Sequence, residues 1–225
     1  MHRNSQKRYL LENHIYFTVS KTDKNFPYFK EPIFCELLIE EIKLCKLFKE
    51  FRLIAFSIIY DHLNLIAQPY GNTNISKLMQ FIKKHTSRNI NYIIAPPIKN
   101  DINNPHPKAT LINVAFGAGH TESTHVTEGD NNHCRLRHAE YEKYEIQINK
   151  FIEKLNNLKT QFHQKYDVTQ NPHPKFRWQK SYRDHVCRDD HDLQNHYTYT
   201  VYNHQKHGLP ENWPYTSLNY PDMID

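Results

Sequence analysis

Between residues 51 and 69, two apolar runs, FRLIAFSII and HLNLIAQP, are separated by the two residues YD alone. Each run has the length and the β-branched content of a strand, and a link this short joins neighbouring strands as a tight hairpin. The chain must therefore build a sheet around this pair. Side chains alternate along a strand, so Leu63, Leu65 and Ala67 point one way while His62, Asn64 and Ile66 point the other. With the leucines in a helix-covered core, His62 and Asn64 are displayed together on the open face. An imidazole nitrogen and an amide oxygen so placed suit two ligands of one hard or borderline metal, and ordinary polar surface is the plainer account of the same pattern.

The flanking segments supply the rest of a sheet-and-helix domain. NHIYFTVSK, residues 13–21, alternates Ile15, Phe17 and Val19 against Tyr16, Thr18 and Ser20 and predicts a first strand. Residues 31–50 carry Phe34, Leu37, Leu38, Ile42, Cys45 and Phe48 at helical spacing, with Pro32 tolerated in the first turn. Residues 74–90 predict a second helix with Ile75, Leu78, Met79 and Ile82 on one side and Lys77, Lys83, Lys84 and Arg88 largely on others. FRWQKSYRDHVC, residues 176–187, reads as a strand. Residues 189–208 read as a last helix, with Asp189 or Asp190 as N-cap and Gly208 as C-cap. The order strand, helix, strand, strand, helix, strand, helix predicts an α+β domain of ferredoxin-like (RRM-like) type, an antiparallel sheet with helices on one face and the other face left for a ligand.

Residues 99–175 break this texture. They are rich in Pro, Asn, His and Gly, the pentapeptide NPHPK occurs twice, and Ile148, Phe151, Ile152, Leu155, Leu158 and Phe162 form a helical stripe. This predicts a largely helical insertion with a long helix at about 139–166, in a discontinuous domain of residues 8–98 and 176–218 followed by a tail, 219–225. The long helix is free to pack on the domain, to pair two copies into a homodimer, or to contact DNA.

Composition narrows the function classes. No apolar run approaches the roughly 20 residues that a bilayer demands, and mean hydropathy is -0.81, so no membrane partner is expected and the reading is a soluble, cytoplasmic protein. The four cysteines form no C-x-x-C pair, which argues against a disulfide scaffold or a zinc ribbon. A net charge of +5 tilts the reading toward an anionic partner, and 15 Tyr, 12 Phe and 16 His are groups that stack on unpaired bases and hold metals. In the last helix His196, Tyr199, Asn203 and His207 share one stripe at spacings of three or four. A tyrosine above a cation is a credible nucleophile toward phosphorus, because the cation favours the phenolate.

The opening IYFTVSKT, the hairpin SIIYDHLNLIAQP and the closing block WQKSYRDHVCRDDHDLQNHYTYTVYNHQKHGL with its trailing WPYTS together resemble the REP-associated tyrosine transposases. These are relatives of the single-strand transposases of small bacterial insertion sequences, within the HUH endonuclease class. In that family a strand ends in histidine-hydrophobic-histidine and binds a divalent metal, a helix tyrosine attacks DNA, and a polar residue four positions later completes the metal site. The resemblance implies His62 as the first histidine, Tyr199 as the nucleophile and Asn203 as the polar helix residue. Asn64 stands where the second histidine should be.

The resemblance also implies a DNA transposase, an endonuclease and strand transferase working in the bacterial cytoplasm and nucleoid. It would act on single-stranded or hairpin DNA through a 5′-phosphotyrosine intermediate, with Mg²⁺ or Mn²⁺ and no nucleotide cofactor. Lys77, Lys83, Lys84 and Arg88 are the candidate phosphate contacts. His185, His196 and His207 are candidate supporting groups, the last two also as substitutes for the missing imidazole. Because Asn64 departs from the pattern, a second reading stands beside the first: a catalytically decayed or domesticated relative that binds DNA hairpins without cleaving them.

Overall fold

The computed structural model describes residues 10–96, 128–166 and 172–225, with backbone alone for 128–143. The two apolar runs are β2 (Phe51–Ile59) and β3 (His62–Pro69), paired antiparallel across the Tyr60–Asp61 turn. The first strand, β1 (Tyr16–Lys21), pairs with β3, and β4 (Arg183–Val186) pairs with the other edge of β1, both antiparallel. The resulting order is β2-β3-β1-β4, so the predicted four-stranded α+β architecture holds. A one-residue irregularity between Leu53 and Ala55 shifts the β2 register. The exposed edge of β2 is covered from the C-terminal side: Ile58 N–H donates to the Tyr215 carbonyl, and Asp225 exchanges bonds with Leu53 through its backbone N–H and its carboxylate.

On one face lie α1 (Pro32–Phe48), α2 (Ile75–Ile94) and α3 (Glu128–Lys165). Each starts or docks for a local reason. Glu31 accepts the Ile33 N–H at the start of α1, and Asn74 accepts the Lys77 N–H at the start of α2. The α3 stripe of Phe151, Leu155, Leu158 and Phe162 enters the same core as Phe34, Leu38, Leu63 and Leu65, with Phe34 and Phe162 stacked at 5.5 Å. Lys165 pairs with the buried Glu31 carboxylate at 2.8 Å, tying the end of α3 to the start of α1. The long helix of residues 99–175 thus forms a third member of the helix layer. The first NPHPK copy lies outside the described residues.

The second face is where the structure departs from expectation. It is covered by α4 (Asp190–Val201), whose Leu193, Tyr197 and Val201 pack on Ala55, Ile66 and Phe17. β2 and β3 are consequently buried on both sides, which explains why their sequences are so continuously apolar. Two elements are also shorter than the sequence pattern suggests. Of the 176–187 strand Arg183–Val186 forms β4 and Trp178 adds an isolated bridge to Thr22, while Phe176 and Trp178 pack in the aromatic core against Phe29. The last helix breaks at Tyr202 (φ -107, ψ 11) and resumes as a single turn, α5 (Asn203–Lys206). Among the described residues no helix is long and apolar enough to cross a membrane.

Candidate metal and tyrosine site

The α4-covered face brings together residues distant in sequence. Register places Phe17 opposite both Ile66 and His185, Val19 opposite Asn64, and Lys21 opposite His62. His62 ends the sheet at the hairpin, almost fully buried at 3% exposure. Its Nδ1–H donates to Asp61 Oδ1 at 2.6 Å, and this bond, ahead of any effect of burial, holds the Asp61 carboxyl below its usual range. On the other side of the ring, Nε2 faces the Asn203 side chain, with Nδ2 at 3.0 Å.

Asn64 is fully buried and donates through Nδ2 to Ser57 Oγ at 3.3 Å. Its Oδ1, like that of the equally buried Asn203, has no hydrogen-bond partner among the described residues. An unpaired buried carbonyl oxygen is costly, and two carboxamide oxygens and an imidazole nitrogen on one face of the sheet are donors of the kind a hard or borderline cation takes. By donor type, His62, Asn64 and Asn203 are the residues that would hold such an ion. The amide dipole of Asn203 would have to turn its oxygen inward to serve, a rotation that leaves its shape unchanged.

Tyr199 lies on α4, one turn before Asn203 and on the same side of the sheet as His62. Its half-buried ring meets Phe17 edge-on at 5.8 Å, and Lys206 Nζ sits 4.4 Å above the ring. The break at Tyr202 turns α5 so that Asn203 and His204 are buried while Lys206 and His207 stay exposed. A Schellman closure holds this turn: Gly208 N–H bonds the Gln205 carbonyl, Leu209 N–H bonds the His204 carbonyl, and Gly208 takes φ +65.

The three supporting histidines separate into two groups. His207 reaches the His62 ring, centroids 5.0 Å apart, and burial followed by the neighbouring His62 pulls its pKa down. His185 and His196 lie together at the other end of α4. There His185 Nε2 pairs with Asp192 Oδ2 at 2.8 Å, and His196 stacks on Phe17 at 4.5 Å.

The basic residues lie on α2, across the sheet from Tyr199. Lys77 and Lys84 are exposed, Lys83 donates to the Gln179 carbonyl at 2.9 Å, and Arg88 is half-buried beside Glu41. Lys83 and Lys84 line a groove with Arg177, Trp178, Lys180 and Tyr182. Asp61, Ser57 and Lys206 were not legible as site residues in the sequence. Asp61 reads there as a turn residue, and nothing in local pattern marks the other two.

No protein-family model matches the chain. A Haemophilus influenzae protein carrying the name REP-associated tyrosine transposase is 47% identical over 45 residues, which is 19% of this chain. The chain spans only 26% of that curated relative's length. A solved structure of a REP-associated tyrosine transposase bound to a REP hairpin superposes with a TM-score of 0.54 at 14% identity, covering 96% of this chain and 84% of that one. At that identity the likeness is one of fold. The resemblance to the REP-associated tyrosine transposases is thus present both in a stretch of sequence and in the architecture.

Proposed function

We propose that this chain is a REP-associated tyrosine transposase that binds hairpin or single-stranded DNA and transfers strands through Tyr199. The observation that carries the reading is the contact between His62 and Asn203. An imidazole oriented by Asp61 meets the amide one turn beyond the tyrosine, on the tyrosine's side of the sheet.

His62, Asn64 and Asn203 would hold a divalent cation, Mg²⁺ or Mn²⁺, in keeping with two oxygen donors and one nitrogen. When bound, such an ion polarises a non-bridging phosphate oxygen and offsets charge in the transition state. Tyr199 Oη gives up its proton to solvent and attacks phosphorus. The bond to the 3′-oxygen breaks, that oxygen takes up a proton as a free 3′-hydroxyl, and the phosphate remains as a 5′-phosphotyrosine ester. Because the ester stores the phosphodiester energy, a 3′-hydroxyl can reverse the step and join strands without a nucleotide cofactor. Phe17 at the edge of the Tyr199 ring and Lys206 above it restrict the phenol's orientation. Lys77 and Lys84, across the sheet from Tyr199, would meet DNA phosphates away from the scissile one, with Lys83 and Arg88 contributing charge from anchored positions.

The experiment is incubation with labelled hairpin DNA and Mg²⁺ or Mn²⁺. The expected product is a denaturation-resistant protein–DNA adduct, lost in Tyr199→Phe. One observation favours a binding-only protein: Asn64 occupies a position where an imidazole would ligate more strongly, and its amide is already engaged with Ser57. DNA binding by the wild type without any adduct selects that second reading, and adduct formation by Asn64→His would then identify the substitution as its cause.

A further inference from the structure

His185, Asp192 and His196 form a cluster that the strand-transfer chemistry does not use. One ligand atom from each lies within 4.8 Å of those of the other two. His185 Nε2 is 2.8 Å from Asp192 Oδ2, His196 Nε2 is 3.4 Å from Asp192 Oδ1, and the two imidazole centroids are 4.6 Å apart. In a tetrahedral zinc site with bonds of about 2.0–2.1 Å, neighbouring donors are about 3.3 Å apart, so an entering ion would displace the proton of the 2.8 Å His185–Asp192 hydrogen bond and let that pair open by about half an ångström.

The positions are held independently of any ion. His185 projects from β4 beside Phe17, and Phe17 stacks on His196 at 4.5 Å and 22°. Asp192 and His196 are four residues apart on α4, the spacing by which one helix face presents two ligands. The Arg188 N–H donates to Asp192 Oδ2 at 3.0 Å, and the Asp189 cap fixes the turn below it. All three side chains are part-exposed, which leaves a coordination position open to water.

We propose that His185, Asp192 and His196 constitute a second divalent-metal site, of zinc type, that clamps β4 to the helix bearing Tyr199. Two imidazoles and one carboxylate favour a borderline ion such as Zn²⁺ over Mg²⁺, whereas the oxygen-rich set at His62 favours the reverse. The inference does not rest on the DNA reading, because metal uptake is measured without DNA.

The test is titration of the metal-stripped full chain with Co²⁺ and then Zn²⁺, in excess Mg²⁺, followed by visible d–d absorption and by thermal unfolding. The wild type should bind at a site that gives the Co²⁺ spectrum, and Zn²⁺ should raise its unfolding midpoint. His185→Gln, His196→Gln and Asp192→Asn should each weaken that site by at least about tenfold and remove the midpoint rise, while His62→Ala retains both. Absence of Co²⁺ and Zn²⁺ uptake by the wild type overturns the proposal. So does uptake that survives in all three cluster variants, or that follows His62 instead.

Discussion

A neutral imidazole that donates one ring N–H to a carboxylate presents its other nitrogen as a lone pair in a fixed direction. In His62 the Nδ1–H donates to the Asp61 carboxylate at 2.6 Å, and Nε2 faces Asn203. Removing the carboxylate leaves the ligand in place but frees its tautomer and its ring angle. Asp61→Ala is therefore expected to weaken Mn²⁺ binding at this site by about 10- to 100-fold, read from free Mn²⁺ by electron paramagnetic resonance. Undiminished affinity would show that Asp61 does not orient the ligand. The pairing of His62 with Asn64 was visible in the sequence because period-two alternation puts them on one face. The role of Asp61 was not, because a turn residue's direction depends on how the hairpin twists.

At the scale of elements, the last helix carries the argument. A continuous helix through residue 208 would keep His196, Tyr199, Asn203 and His207 on one stripe. The break at Tyr202 instead assigns them to two environments, His196 against Phe17 and His207 against His62. The α5 turn that aims Asn203 is closed by Gly208 at φ +65, and a Cβ there would meet nothing within 4 Å. Gly208→Ala should therefore cost only the left-handed conformation, about 1 kcal/mol of stability, measured by urea unfolding. A cost near zero would mean that the closure relaxes freely. The sequence marked Gly208 as a cap correctly, yet the break escaped it, since Thr198 and Thr200 lower helix propensity without saying where a helix gives way.

For the whole molecule, the helix layer contains two buried ionisable groups that oppose each other in pH dependence. Burial pushes Glu41 of α1 up to about 8 and His85 of α2 down to about 3, and their nearest N···O distance is 3.9 Å, so at neutral pH both are uncharged rather than paired. A carboxyl raised in the folded state contributes stability that is present below its unfolded value and lost as pH rises to about 8. A depressed histidine contributes stability that is present above its unfolded value and lost as pH falls to about 3. The two slopes cancel between the ordinary carboxyl and imidazole values, and above that window Glu41 acts alone at about 1.4 kcal/mol per pH unit at most. Glu41→Gln should flatten the alkaline side of the urea-derived stability profile by roughly 1–2 kcal/mol between pH 6.5 and 8 and uncover the rising His85 slope between the ordinary carboxyl and imidazole values, leaving the profile unchanged only below them. An unchanged alkaline slope would refute the assignment.

The sequence by itself determined the hairpin, the element order and the faces of β1 and β3, because side-chain periodicity and turn length are local properties of the chain. It also marked His62, Tyr199 and Asn203 by resemblance. Only the tertiary structure decided that α4 covers the face expected to stay open, that α3 joins the main helix layer, and that His185 and His196 meet over Asp192 rather than beside His62. Those outcomes depend on which apolar surfaces are left once the sheet has formed, and packing between segments far apart in the chain leaves no periodic trace in either of them.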